Sequence, residues 1–210
     1  MLEHVFIAAS KCLEFHEIYF AVDNEEVARE VEKFGGKWKM TSPSCPTGTH
    51  RLIEFIETSG VKADVFVNWQ ADEPLIAPQM IKDLLQGIYN PLESIWTLKK
   101  EAKPDEINNP NVVKVVSDIT GGALYFSRSP IPYNRDQSEC KYFKHIGLYA
   151  YTHDALLKIK KQPIAPLSEI EKLEQLTFLE NGLSIRLYQT EYESVGVDTV
   201  EDLLKVISLI

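Results

Sequence analysis

An α/β fold with a mostly parallel sheet, helices on both of its faces and an inserted antiparallel hairpin region is what this sequence predicts. Three observations carry the prediction. Helix-like and strand-like segments alternate from Leu2 to Ile88, the pattern of parallel strands joined by right-handed crossovers. Val65, Phe66 and Val67 are β-formers with no intervening charge, as expected of a strand covered on both faces. Two apolar segments, 112–116 and 123–127, flank Asp118-Ile-Thr-Gly-Gly122, which has the composition of a hairpin turn.

Taken in order, Leu2, Val5, Phe6, Ala9 and Leu13 recur at helical spacing, so the chain is expected to open inside a helix. Glu17 to Val22 reads as a strand ending at Asp23. Asn24 is placed to cap a helix running to about Phe34, which Gly35-Gly36 would end. A short strand is expected at Trp38–Met40, and a helix at Thr49–Thr58 with Leu52, Ile53 and Ile56 on one face. The strand Val65–Asn68 and the helix Pro78–Ile88 follow. Beyond the hairpin, His145–Tyr151 reads as a strand, and Asp154–Lys160 and Ser168–Leu179 as helices. Asn181-Gly182 should end the second of these. Ser184–Gln189 is the last expected strand and Val200–Ile207 the last helix. Glu101–Asn109 and Arg135–Tyr142 read as loops. With no repeat, low-complexity tract or linker in view, residues 1–210 read as one domain.

Composition narrows the function classes. Hydrophobic residues make up 44% and charged residues 25%, ordinary for a globular protein. A net charge of −9 speaks against a nucleic-acid surface, which needs a basic footprint. It leaves room for a nucleotide substrate, because a local cation can offset local acid. Cys12, Cys45 and Cys140 are scattered and odd in number, which suggests reduced thiols in the cytoplasm and no zinc framework. No apolar run is long enough to span a bilayer. The opening segment carries Glu3 and His4 where a signal peptide would be basic.

The richest segment is Val65-Phe-Val-Asn-Trp-Gln-Ala-Asp-Glu-Pro74. Gln70, Asp72 and Glu73 gather at the C-terminal end of the strand, and Pro74 stops it. In open α/β sheets ligands bind at that end. Carboxylates there can hold Mg²⁺, which favours one or two carboxylates plus substrate oxygens; an acidic, solvated loop would look the same.

This segment resembles the Val-Asn-x-Gln-Gly-Asp-Glu-Pro signature of the 3-deoxy-D-manno-octulosonate (KDO) cytidylyltransferase family. Further segments resemble the family in the same order: Asn109-Pro-Asn-Val-Val-Lys-Val-Val116, Ala123-Leu-Tyr-Phe-Ser-Arg-Ser-Pro-Ile-Pro132, His145-Ile-Gly-Leu-Tyr-Ala-Tyr151, Leu173-Glu-Gln-Leu176, Leu179-Glu-Asn-Gly182 and Gly196-Val-Asp-Thr199. The similarity spans nearly the whole chain. It implies a Rossmann-like nucleotide-diphospho-sugar transferase sheet and a cytoplasmic enzyme that joins CTP and KDO into CMP-KDO for lipopolysaccharide biosynthesis.

The resemblance also assigns roles. Asp72 and Asp198 would be the catalytic, Mg²⁺-holding carboxylates, although Asp198, just before a helix, could equally cap it. Gln70, Arg128, His145, Tyr149, Glu174 and Gln175 would bind the sugar acid. His145 and Tyr149 are an even number of residues apart on one strand and so share a face. Glu174 and Gln175 are neighbours on a helix and cannot point the same way. Thr47, Gly48, Thr49 and Arg51 would bind the nucleotide. Two departures stand out: His50 replaces an acid in the Ser-Gly-Thr-Asp/Glu-Arg pattern, and Ala71 replaces the Gly of Gln-Gly-Asp-Glu-Pro. If that Gly serves positive φ, Ala71 costs about 1 kcal/mol.

The resemblance further implies a homodimer built on 112–151, with Tyr125, Phe126, Ile131 and Tyr133 as interface or core. Met1 aligns with the family's Lys-Pro-Met-Ile stretch, which places the first strand and its triphosphate-gripping loop ahead of the sequence. Two alternatives accompany the KDO assignment: a cytidylyltransferase for another acidic sugar (sialic acid or amino-KDO), and an inactive remnant that only binds a ligand or partner.

Overall fold

The computed structural model describes residues 1–197 and 199–209. The chain falls into two compact units: Met1–Asp64, Asn68–Lys82 and Tyr192–Ile210 form the first, and Val65–Val67 with Asp83–Glu191 form the second.

In the first unit, α1 (Leu2–Ser10) leads to β1 (Tyr19–Val22), α2 (Glu25–Lys33), β2 (Lys37–Met40) and α3 (Gly48–Ser59). Only Val5 and Ala9 of α1 are buried. Leu13, expected to continue that helical face, lies beyond the helix and is 92% exposed. The Asn24 side chain caps α2 by accepting from the Val27 N–H at 2.9 Å. Gly35, at φ +75°, ends it in a conformation that costs only glycine nothing. β1 and β2 pair in parallel, Tyr19 opposite Lys37 and Val22 opposite Met40. Val22, Ala28 and Val31 form the core there, packed by Leu2, Phe20, Val27, Phe34, Trp38 and Met40. On α3 the buried residues are Thr49, Ile53, Phe55 and Ile56, while the expected Leu52 is half-buried. α9 (Val200–Ile207) matches its predicted span.

The second unit is built on a mixed sheet. Its strands are β3 (Val65–Asn68), β4 (Ile95–Glu101), β5 (Lys114–Ser117), β6 (Ala123–Ser127), β7 (Phe143–Thr152) and β8 (Arg186–Gln189). The order is β6-β5-β7-β4-β8, with β3 also paired to β7. β4 and β8 run parallel; the β4–β7, β5–β6 and β5–β7 pairs are antiparallel. The two ends of that order meet at the hairpin, where Gly122 bridges Arg186. The turn is tied by Asp118, whose carboxylate accepts from the N–H groups of Thr120 and Gly122 at 2.7 and 2.9 Å. The α/β class holds, with the inserted antiparallel hairpin where it was expected.

Several elements differ from expectation. β4 has no counterpart in the predicted elements. Ile95, Trp96, Thr97 and Leu98 are all fully buried, so the alternation that marks a half-exposed strand is missing. Its C-terminal end and the helix α5 (Pro104–Ile107) occupy the predicted loop at Glu101–Asn109. Lys144 and Glu106 pair there at 2.5 Å. The predicted helix Pro78–Ile88 is α4 (Pro78–Leu84) followed by a 3₁₀ turn at Leu85–Gly87. After α6 (His153–Ile159), the single helix expected at Ser168–Leu179 is two, α7 (Pro166–Glu171) and α8 (Glu174–Glu180). Lys172 breaks it by adopting a left-handed conformation at φ 54°, and Leu173 turns back into the core at 6% exposure. Gly182, at φ +78°, follows the end of α8. Phe126 is fully buried, so it belongs to the core and offers no interface surface. No helix among the described residues is long and apolar enough to cross a membrane.

Candidate active site

In the first unit the expected nucleotide-binding residues sit at the start of α3. Thr47 caps the helix, its hydroxyl accepting from the His50 N–H at 3.2 Å. His50 is the third helical residue, the position from which an acid reaches back in a capping box. Here the imidazole takes that place: His50 Nδ1 lies 2.8 Å from Thr47 Oγ1. The departure at His50 therefore keeps the helix start closed by other atoms. A Cβ on Gly48 would lie 3.5 Å from Asn68 Nδ2, so the helix start and the end of β3 are close neighbours. Thr49 is buried. Arg51 ties three elements together, donating to Thr41 Oγ1 at 2.8 Å and to the Ser42 carbonyl at 3.4 Å, and pairing with Asp23 at 3.0 Å.

Beyond β3 the acidic segment folds into a pinned turn. The Glu73 N–H donates to the Gln70 carbonyl at 3.1 Å, and Trp69 Nε1 to the Glu73 carbonyl at 2.9 Å. Gln70 is exposed and Asp72 half-buried. The non-glycine residues with positive φ are Gln137 and Lys172 among the described residues. Ala71 therefore takes an ordinary backbone conformation, and the strain contemplated for it does not arise. The Val197 N–H donates to the Asp72 carbonyl at 2.9 Å, docking the chain just before Asp198 against this turn; Asp198 itself lies outside the described residues. The described residues contain no group of three or more His, Cys, Asp or Glu that could hold a metal by protein ligands alone. The donor at hand is the carboxylate oxygen of Asp72, a hard ligand that suits Mg²⁺ with the rest of its shell from water and phosphate.

In the second unit the expected sugar-binding residues gather on β7 and α8. His145 and Tyr149 have ring centroids 5.3 Å apart, and Phe126 meets His145 edge-on at 5.0 Å. His145 Nε2 lies 3.1 Å from Thr97 Oγ1. Burial pushes the imidazole pKa down to about 3, so the ring is neutral under ordinary conditions. The Tyr149 hydroxyl is buried and no well-directed hydrogen bond reaches it among the described residues. Its pKa is raised, first by burial and then by the negative charge of Glu174; nearby Thr97 opposes the shift. Glu174 opens α8 half-buried, while Gln175 is 7% exposed. The two neighbours thus face different surroundings, as helix geometry requires.

Arg128 stands apart from this group. Its side chain donates to the carbonyls of Glu171 at 2.8 Å, Pro110 at 3.0 Å and Lys172 at 3.5 Å. Glu171 also accepts from Ser127 Oγ at 2.6 Å and from the Arg128 N–H at 3.0 Å. Of the five guanidinium N–H groups, three contacts go to the fold, which holds the charge in place. Sequence reasoning did not single out Thr97, Glu171 or Asp23. Thr97 carried one signal, a lone hydroxyl in the apolar run Ile95-Trp-Thr-Leu98.

Comparison with known proteins agrees along the chain. A cytidylyltransferase family model matches residues 1–185. A curated 3-deoxy-manno-octulosonate cytidylyltransferase from Solibacter usitatus is 46% identical, over 98% of this chain and 82% of its own length. One from Geobacter sulfurreducens is 42% identical, over 99% and 87%. A solved structure, CMP:2-keto-3-deoxy-manno-octonic acid synthetase complexed with CTP, matches with a TM-score of 0.93 and 38% identity, covering 99% of this chain and 86% of that one. A 4-diphosphocytidyl-2C-methyl-D-erythritol synthase from Anaerococcus prevotii, at 14% identity and a TM-score of 0.65, shares the fold alone.

Proposed function

The chain belongs to the 3-deoxy-manno-octulosonate cytidylyltransferase family, and from that membership we infer how its residues divide the reaction. It is a CTP-dependent nucleotidyltransferase that activates KDO. The anomeric hydroxyl of KDO attacks the α-phosphorus of CTP and gives up its proton. The bond from that phosphorus to pyrophosphate breaks, and CMP-KDO forms. The observation that carries this reading is the 0.93 TM-score, at 38% identity over 99% of the chain, to a synthetase solved with CTP.

The first unit serves the nucleotide. Gly48 leaves room for close approach of the base beside Asn68, Thr47 and Thr49 shape the helix start, and Arg51 is held rigid by Asp23 and Thr41. Asp72 and Asp198 would hold Mg²⁺, which when bound screens the phosphate charge and lowers the pKa of the attacking hydroxyl. Such transfer needs positioning and charge neutralisation more than covalent catalysis.

The second unit serves the sugar acid. Neutral His145 and the Tyr149 hydroxyl recognise sugar hydroxyls, Gln175 supplies an amide and Glu174 a carboxylate. Gln70, exposed after β3, keeps the sugar-binding role that family membership implies. Arg128 contributes a fixed positive charge and its two remaining N–H groups toward the substrate carboxylate.

The product feeds lipopolysaccharide biosynthesis in the cytoplasm. The working form is a homodimer in which exposed Tyr133, with Tyr125 and Ile131, supplies apolar contact on 112–151; nucleic acid and membrane play no part. Substrate competition tests the choice of sugar. KDO should outcompete sialic acid and amino-KDO for cytidylylation; preferential turnover of either rival would transfer the assignment to that sugar.

A further inference from the structure

A strand should keep His145 and Tyr149 far apart. Residues four apart on an unbroken strand are separated by about 13 Å, yet these rings lie 5.3 Å from each other. The register between β4 and β7 explains it. Thr97 is opposite Tyr149, but the next residue, Leu98, is opposite Ile146. Gly147 and Leu148 are left without partners on β4 and form a bulge, which shortens the path between the two rings. His145 is opposite Lys99, so along β4 the pair is only two residues apart, about 7 Å.

Thr97 occupies the bulge. Its hydroxyl lies 2.9 Å from the Leu148 carbonyl and 3.1 Å from the Ile146 carbonyl, as well as 3.1 Å from His145 Nε2. A hydroxyl has one hydrogen to give. The two carbonyls can only accept, so that hydrogen goes to one of them, the Leu148 carbonyl at 2.9 Å being the nearer. The Thr97 oxygen must then accept, and His145 Nε2 must carry the proton. Burial keeps the ring neutral, with a pKa near 3, so Nδ1 is left as a lone-pair acceptor. It has no hydrogen-bond partner among the described residues. The buried Tyr149 hydroxyl beside it has no well-directed hydrogen bond among the described residues, with Thr97 near enough to oppose the rise in its pKa.

We propose that Thr97 is a positioning residue for the sugar acid: it pins the β7 bulge and fixes His145 as the Nε2–H tautomer, so that Nδ1 accepts from a substrate hydroxyl. The proposal rests on the reading of His145 as part of the KDO pocket. A bare Nδ1 accepts from a sugar hydroxyl and discriminates against a group that can only accept, such as a carbonyl or ether oxygen, which would face it lone pair to lone pair.

The test begins with nitrogen NMR of the full chain labelled in its histidines, without substrate. The His145 spectrum should show Nε2 protonated and Nδ1 bare at neutral pH. Thr97→Val keeps the β-branched shape and removes the hydroxyl. It should mix the two tautomers and raise the KM for KDO about tenfold, the value of one hydrogen bond, with kcat and the KM for CTP within about twofold of wild type. Thr97→Ser should restore both the tautomer and the KM. An Nδ1–H tautomer in the wild-type protein overturns the proposal, whether or not the Val variant folds. An unchanged KM for KDO in folded Thr97→Val does so as well. Loss of KDO turnover by the wild-type chain would instead refute the sugar assignment and leave the tautomer result to be judged by itself.

Discussion

The two compact units hold their candidate ligand groups in opposite ways. The first places them on a turn and at a helix start, where Gln70 is exposed and Asp72 and Arg51 are half-buried. Backbone contacts and an ion pair fix them: Val197 against Asp72, and Asp23 against Arg51. The second sets its groups on β7 and the start of α8, with Tyr149 and Gln175 each at 7% exposure and His145 held neutral. The difference follows the chemistry. Phosphate and Mg²⁺ need full charges, which only groups reaching water keep at low cost. Sugar hydroxyls need directional neutral partners, and burial strengthens those. On the proposed roles the first unit relies mainly on the charges of Asp72 and Arg51, while the second sets neutral His145, Tyr149 and Gln175 beside the charges of Glu174 and Arg128.

The largest expected effect strikes the charged side. Asp72→Asn should lower turnover by at least about a hundredfold with the fold retained, measured as steady-state kcat beside far-ultraviolet circular dichroism. Near-normal turnover would remove Asp72 from the metal. On the neutral side, His145→Ala should raise the KM for KDO about tenfold and leave the KM for CTP nearly unchanged; the reverse pattern would place His145 with the nucleotide.

Burial of His145 also predicts a pH dependence. Its pKa is about 3 in the folded chain against an ordinary 6.5. Between those values the unfolded chain binds a proton that the folded chain does not, so stability falls as pH drops below about 6.5, by up to about 1.4 kcal/mol per pH unit from this group. Urea unfolding at a series of pH values should show a shallower slope for His145→Phe than for wild type. Equal slopes would mean that the ring already protonates in the folded state. Back on the first unit, Thr47→Ala should cost about 1 kcal/mol through the lost cap, read from the same denaturant midpoints. The smallest effect is expected at Ala71. Its φ is ordinary, so Ala71→Gly should gain nothing and lose about 0.4–1 kcal/mol to chain entropy; a stabilised variant would show that the turn wants glycine after all.

Legibility in the sequence divides along the same line. The charged side could be read directly, because Val65-Phe-Val followed by Gln70, Asp72 and Glu73 is a local pattern, and Asn24 and Gly35 mark helix ends by chemistry that acts within a turn. The buried side was legible only through its family motifs. His145 and Tyr149 could be placed on one face by parity, but their closeness comes from a bulge against β4, a strand whose four core residues show no alternation. Thr97 reaches His145 across 48 positions of sequence, and no local pattern announces such a contact. The break at Lys172 was hidden for a similar reason. Nothing in Ser168–Leu179 demands a stop, and it is burial of Leu173 and the hold of Glu171 on Ser127 and Arg128 that accompany it. Ala71 and His50 looked like faults in the motif; in the fold one is unstrained and the other closes a helix start.

The most direct test of the central claim is pyrophosphate release by this chain with CTP, KDO and Mg²⁺. Release that requires all three, with CMP-KDO as the accompanying product, is the result the account predicts. Folded protein that releases no pyrophosphate with all three present, or releases it equally well without KDO, would contradict it.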